Sequence, residues 1–305
     1  MAPVPTASAA RPSEATSPAR RRAGERARGR ILAVSNQKGG EGKTTTAVNL
    51  AASLAAAEHR VLLVDLDPQA NASSSVGFMR GSVERGTYEA LLGGATLQEV
   101  TMPSELPFLS VVPATADLAG AEVELVGIEG RESALRRALA PVIASGTYDF
   151  VILDCPPSLG LLTVNALVAA DGVIIPMQAR YFSLEGLGAL SGTIESVRAA
   201  LNDRLSIEGI VFCMFDPRTN LAQQVVAEVK EHFGGLVYET VIPVNIRLSE
   251  SPSFGKPALL YDIESRGAQA YLSLAREVLG RIEGGGAAPV DDADDADEET
   301  RAEGA

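Results

Sequence analysis

From residue 30 onward the chain alternates short apolar runs with longer amphipathic stretches. Residues 31–35, 61–64, 109–112, 150–153, 173–176 and 210–214 are compact, largely β-branched runs with few polar positions, as expected of strands buried on both faces. Segments 44–57, 132–144, 184–201, 222–233 and 269–282 instead repeat apolar residues at helical spacing. In the last of them Tyr271, Leu272, Leu274, Ala275, Val278 and Leu279 form one stripe. Strands alternating with helices predict right-handed βαβ crossovers, and so an α/β fold: one domain with a doubly wound, mostly parallel sheet and helices on both faces. Residues 77–107 follow neither period and are expected to form surface loops around a short helix near 88–92.

The two ends break this pattern. Residues 1–29 carry Arg11, Arg20, Arg21, Arg22, Arg26 and Arg28 against Glu14 and Glu25, with no apolar period, and are read as a disordered basic arm. Residues 284–305 open with three glycines and run into Asp and Glu from Asp291 to Glu303, opposed by Arg301; they are read as a disordered acidic tail. The folded domain is therefore expected at 30–283. With a net charge of -13, the surface as a whole would repel nucleic acid, so any DNA contact needs a local basic patch. Cys155 and Cys213 are too few for a disulfide framework and too far apart in sequence for a metal pair; both are expected in the core, in a reducing cytosol. No apolar run approaches the roughly 18 residues of a membrane span, so a cytoplasmic protein with no membrane association is expected.

The sharpest chemistry lies between the first strand and the first helix, in Lys38-Gly39-Gly40-Glu41-Gly42-Lys43-Thr44-Thr45. Glycines let backbone N–H groups approach phosphate oxygens, and the helix start adds a favourable dipole. Lys43 is expected to reach the β- and γ-phosphates of ATP, with the Thr44 hydroxyl on Mg²⁺. Gly40, Glu41, Gly42 and Thr45 complete the expected phosphate-loop contacts. The common pattern G-x-x-x-x-G-K-[ST] is not met, because its first glycine falls at Gln37; the loop is a variant that adds Lys38. Asp65 and Asp67 follow the second strand and Asp154 follows the strand at 150–153, which places all three at the same sheet edge as the loop. Asp154 is read as a magnesium carboxylate acting through water, and Asp67, also on the metal side, as the residue that orients the attacking water.

These motifs, together with Val64-Asp65-Leu66-Asp67-Pro68-Gln69 and Leu153-Asp154-Cys155-Pro156-Pro157-Ser158, resemble the ParA/Soj chromosome- and plasmid-partitioning ATPases, a deviant Walker A branch of the P-loop NTPases. Tyr181-Phe182-Ser183-Leu184-Glu185-Gly186, Arg218-Thr219-Asn220 and Val241-Ile242-Pro243 extend the resemblance, which runs from about Gly29 to Ile282. It implies an ATP-dependent homodimer in which Lys38 crosses to the partner's nucleotide and acts in catalysis with Lys43, Asp67 and Asp154. It also implies that Pro243 and Asn245 flank the adenine, and that Arg218 and Arg247, both expected in loops, bind DNA without sequence preference on the nucleoid. A ParB-like centromere-binding protein is then expected to stimulate hydrolysis and release the protein, driving chromosome or plasmid segregation.

Two positions depart from the family. Glu41 stands where similar proteins usually carry Val, placing a carboxylate near the phosphates unless its side chain points away, and Val244 stands where many relatives have Arg. The same chemistry would also serve a relative that positions another cargo, such as a chemosensory cluster or carboxysome. A membrane-surface ATPase resembling MinD needs a basic amphipathic helix near its end, whereas the helix at 269–282 runs into glycines and acids. His59 and His232 are expected to be isolated surface residues.

Overall fold

The structure is a computed structural model that describes residues 29–284. The predicted basic arm, apart from Gly29, and the predicted acidic tail, apart from Gly284, lie outside the described residues. Seven strands form one sheet: β1 (Arg30–Val34), β2 (Val61–Asp65), β3 (Met102–Pro103), β4 (Leu109–Val112), β5 (Phe150–Asp154), β6 (Gly172–Gln178) and β7 (Ser206–Cys213), in the order β3-β4-β2-β5-β1-β6-β7. All pairings are parallel except that of β3 with β4. This antiparallel edge strand is two residues long and contains Pro103, which cannot donate to a further strand.

Successive strand residues point to opposite faces, and each face has its own core. On one side Ile31, Ala33, Leu62, Val64, Val151 and Leu153 pack under the helices Leu118–Glu124, Ala134–Ala144, Leu161–Ala169, Tyr181–Ala200 and Asn220–Phe233. On the other, Leu32, Val34, Val61, Leu63 and Ile152 pack under Lys43–Ala56 and Arg266–Glu283. Burial on both faces is why these strands read as unbroken apolar runs.

Two of the differences from the sequence expectation have a clear physical cause. The helix Leu161–Ala169 has no counterpart in it because almost all of this helix is buried, so no polar stripe marks a helical period. Strand β7 starts at Ser206, before the apolar run at 210–214, since its first residues include exposed Ser206, half-buried Ile207 and the buried but charged Glu208, which break the apolar run.

Topology brings the chemistry together. β1 lies centrally between β5 and β6, and β5 lies between β1 and β2, so Val34, Asp154 and Asp65 are cross-strand neighbours despite their separation in sequence. The chain leaves β1 towards β2 on one side and later crosses to β6 on the other, which opens a crevice at the carboxyl ends of these strands.

Candidate active site

The loop from Ser35 to Gly42 leaves β1 and enters the helix Lys43–Ala56 directly. Gly40 (φ 77°) and Gly42 (φ 91°) hold left-handed backbone that a side chain would strain, and a Cβ on Gly42 would also meet the Cys213 Cβ at 3.3 Å. The loop is tied down from both sides. Asn36 Nδ2 donates to the Pro176 carbonyl (2.8 Å), the Lys38 N–H to Asn36 Oδ1 (3.0 Å), and Gln178 Nε2 to the Gly40 carbonyl (2.7 Å). Behind it, the Thr46 and Tyr271 hydroxyls lie 3.1 Å apart.

Lys43 is buried, and its Nζ donates to the Lys38 carbonyl at 2.9 Å. Burial lowers its pKa, while the charges of Asp154, Cys155, Asp67 and Glu41 act in the opposite sense. Glu41 does not face the mouth of the loop. Its carboxylate turns inward, accepting hydrogen bonds from the Gln178 N–H and the Ser183 hydroxyl. Of the two orientations the sequence left open for Glu41, the side chain adopts the one that turns from the loop mouth.

The three carboxylates have different roles in the fold. Asp65 is fully bonded, Oδ2 accepting from the Ser73 N–H (2.8 Å) and hydroxyl (2.6 Å), and Oδ1 from the Asp67 N–H (3.1 Å). It anchors the turn after β2. Asp67 Oδ1 accepts from the Gln69 N–H at 2.9 Å, which fixes the carboxylate and leaves its second oxygen without a hydrogen bond. Asp154 is wholly buried, yet neither of its oxygens has a hydrogen-bond partner. A buried ionisable group without a protein partner, placed next to the loop, suits a cation or an ordered water. With the Thr44 hydroxyl one residue beyond Lys43, the donor set suits a hard divalent ion held largely by phosphate and water.

Burial and the neighbouring Asp65 charge push the Asp154 pKa well above the carboxylate range, the Thr44 hydroxyl opposing this without meeting hydrogen-bond geometry. Burial likewise raises Asp65, to about 6, against its hydrogen bonds from Ser73. The sign for stability follows directly. A carboxyl with a native pKa above its unfolded value holds its proton more tightly when folded, so stability is lost as pH rises from about 4 through the native pKa. Asp154→Asn is therefore expected to melt higher than the parent chain at pH 8 without ligand, with the difference shrinking towards pH 5. Thermal melts across that range check it, and a variant that melts lower at pH 8 would contradict the assignment.

Beside the loop lies a cavity of about 510 Å³ whose lining includes Gly42, Thr45, Arg180, Met214, Pro243 and Asn245. Pro243 and Asn245 thus share one cavity with the phosphate loop, as a base-binding role requires. Asn245 Oδ1 accepts from the Arg247 N–H (3.0 Å) and caps the helix Ile246–Glu250, leaving its amide NH₂ for a ligand. Met214 holds φ 50° at the cavity lip, a left-handed conformation rare for a side chain of its size. Arg180 is absent from the sequence-derived site, although its position just past a strand end follows the same rule that singles out Asp67 and Asp154.

Neither candidate DNA arginine is an isolated cation. Arg218 pairs with Asp216 through Nε (2.8 Å) and Nη2 (2.6 Å), and these bonds hold the Asp216 pKa down at about 2. Arg247 sits in the first turn of the helix Ile246–Glu250, not in a loop as expected, because the Asn245 cap starts a helix there. It pairs with Glu250 (2.9 Å) and Asp262 (3.2 Å). Both pairs are solvent-exposed and so hold their arginines only weakly. Val244 is exposed, His232 is exposed, and His59 is half-buried, edge-on to Phe150.

Comparison with known proteins places this geometry. A family model described as an AAA domain, AAA_31, matches residues 29–207. The chain is 57% identical over 253 residues to the chromosome partitioning protein ParA of Myxococcus xanthus, covering 83% of this chain and 89% of that one. It is 54% identical over 250 residues to the sporulation initiation inhibitor protein Soj of Bacillus subtilis, covering 82% and 98%. Among solved structures, cobyrinic acid a,c-diamide synthase from Mycobacterium smegmatis, with bound ADP and magnesium, superposes with a TM-score of 0.73 at 36% identity, covering 84% of this chain and 96% of that one.

Proposed function

The chain belongs to the ParA/Soj family of partitioning ATPases, and from that premise we propose that it is a nucleotide switch for segregating a chromosome or plasmid. It is an ATP hydrolase that uses Mg²⁺. With ATP it pairs with a second copy, and the pair holds duplex DNA on the nucleoid without sequence preference. A ParB-like protein at the centromere then stimulates hydrolysis and releases the chain from DNA.

The observation that carries this reading is the junction of β1, β2 and β5, where Lys43 of the loop meets the orphaned buried carboxylate of Asp154 with Asp67 beside it. Lys43 would hold the β- and γ-phosphates, Thr44 and Asp154 the magnesium, and Asp67 the attacking water. Magnesium, when bound, supplies positive charge to the phosphate oxygens. Pro243 and the free NH₂ of Asn245 would orient the base, and the inward turn of Glu41 keeps its charge out of the phosphate cradle. On the outer surface, Arg218 and Arg247 would trade their carboxylate partners for DNA phosphates.

Duplex-DNA binding with ADP, with ATP, and with ATP in an Asp67→Ala background tests the switch, with sedimentation in parallel. Binding confined to the ATP states, accompanied by dimer, is the expected result; no binding in any state despite bound ATP would overturn it. In the same assay Arg218→Ala with Arg247→Ala should weaken binding and flatten its salt dependence by about 0.9 for each phosphate no longer neutralised, with ATP binding intact. Normal DNA binding by this double variant at several salt concentrations would place the patch elsewhere.

A further inference from the structure

Glu41 is a carboxylate inside a loop built for phosphate, and its surroundings assign it a task. The side chain is 1% exposed and both oxygens are engaged. Oε2 accepts the Gln178 N–H (2.5 Å) at the end of β6, and Oε1 accepts the Ser183 hydroxyl (3.1 Å) in the first turn of the helix Tyr181–Ala200. Oε1 also lies 3.2 Å from Lys38 Nζ, which in turn donates to Ser183 Oγ at 3.5 Å. Glu41, Ser183 and Lys38 therefore form a closed triangle that joins the phosphate loop to the start of the next helix.

Charge balance makes the triangle more than a brace. Among the described residues Lys38 is the cation paired with Glu41, whose two other partners are neutral donors. Lys43 also feels the Glu41 charge but stands outside ion-pair distance, so a state in which Lys38 swings outward removes the direct ion pair of a buried carboxylate and must offset that loss. Lys38 is also the side chain with somewhere to go, since it remains 37% exposed while Glu41 is enclosed.

We propose that Glu41 is a positioning residue that holds the Lys38 ammonium within its own chain, so that dimer closure requires transfer of Lys38 from Glu41 to the nucleotide phosphates of the second copy. The transfer rests on the reading that Lys38 crosses the dimer interface. Phosphate charge on the partner competes with Glu41 for the same ammonium, and Glu41 thereby sets the threshold at which ATP-loaded chains pair. A neutral residue at this position leaves Lys38 free to reach across.

The test is the dimer dissociation constant by sedimentation, with a non-hydrolysable ATP analogue and Mg²⁺, for the parent chain, Glu41→Gln, Lys38→Ala and the double variant. Glu41→Gln should tighten the dimer on the order of tenfold, Lys38→Ala should loosen it, and Glu41→Gln should change nothing once Lys38 is absent. Glu41→Val, also uncharged, is expected to tighten the dimer in the same way, and a thermal melt of each variant checks that the chain is folded. If Lys38→Ala pairs as tightly as the parent, the trans role of Lys38 fails. If Lys38→Ala loosens the dimer but neither Glu41 variant tightens it, or both act equally with and without Lys38, the holding role of Glu41 is overturned.

Discussion

Lys43→Ala should weaken ATP binding by about 10- to 150-fold, because a charge-assisted hydrogen bond to phosphate is worth about 1.5–3 kcal/mol. The geometry explains why so much depends on one side chain. Its ammonium is buried, with its pKa lowered by that burial, and it rests on the Lys38 carbonyl at 2.9 Å. Triphosphate offers it a charged acceptor in place of a neutral one, and its negative charge adds to the carboxylates that already oppose the effect of burial on Lys43. Calorimetric titration with ATP measures the change, and a thermal melt confirms that the variant is folded. Parental affinity in a folded variant would remove Lys43 from the site.

The second large effect is on turnover. Asp67→Ala should bind ATP within a few-fold of the parent yet hydrolyse it about 10²–10⁴-fold more slowly, the range associated with loss of a positioned acid–base group. Asp67 touches the fold through one oxygen, bonded to the Gln69 N–H, while its other oxygen has no partner. Removing the side chain thus deletes the carboxylate proposed to orient the attacking water and spares the Asp65–Ser73 bonds that shape the turn. Phosphate release and sedimentation report the two halves of the prediction. Undiminished release, or monomers with ATP bound, would sink it.

Much of this is legible in the chain, for a local reason. Strand and helix periods, the glycines of the phosphate loop, and aspartates placed just past strand ends are properties of contiguous residues, and each element they predict is present with only its ends shifted. Where local pattern misleads, the deciding contact is distant. The helix Leu161–Ala169 has no polar face because neighbours cover nearly all of it. Arg247 is expected in a loop but stands in a helix capped by Asn245. Gln178 and Ser183 carry no local sign of being partners of the phosphate loop, since their link to it is a carboxylate well over a hundred residues away.

By itself, then, the sequence determined the α/β order, the phosphate loop and the family. Only the tertiary structure decided which charges are satisfied. Asp65, Asp67 and Asp154 look alike as aspartates at strand ends, yet Ser73 saturates Asp65 while nothing reaches Asp154. Glu41 could have faced the phosphates or turned from them, and the Gln178 N–H and Ser183 hydroxyl turn it inward onto Lys38. The physical reason is common to both cases: periodicity and backbone propensity act over a few residues, whereas hydrogen-bond satisfaction and charge pairing are settled between segments that meet only once the sheet has formed.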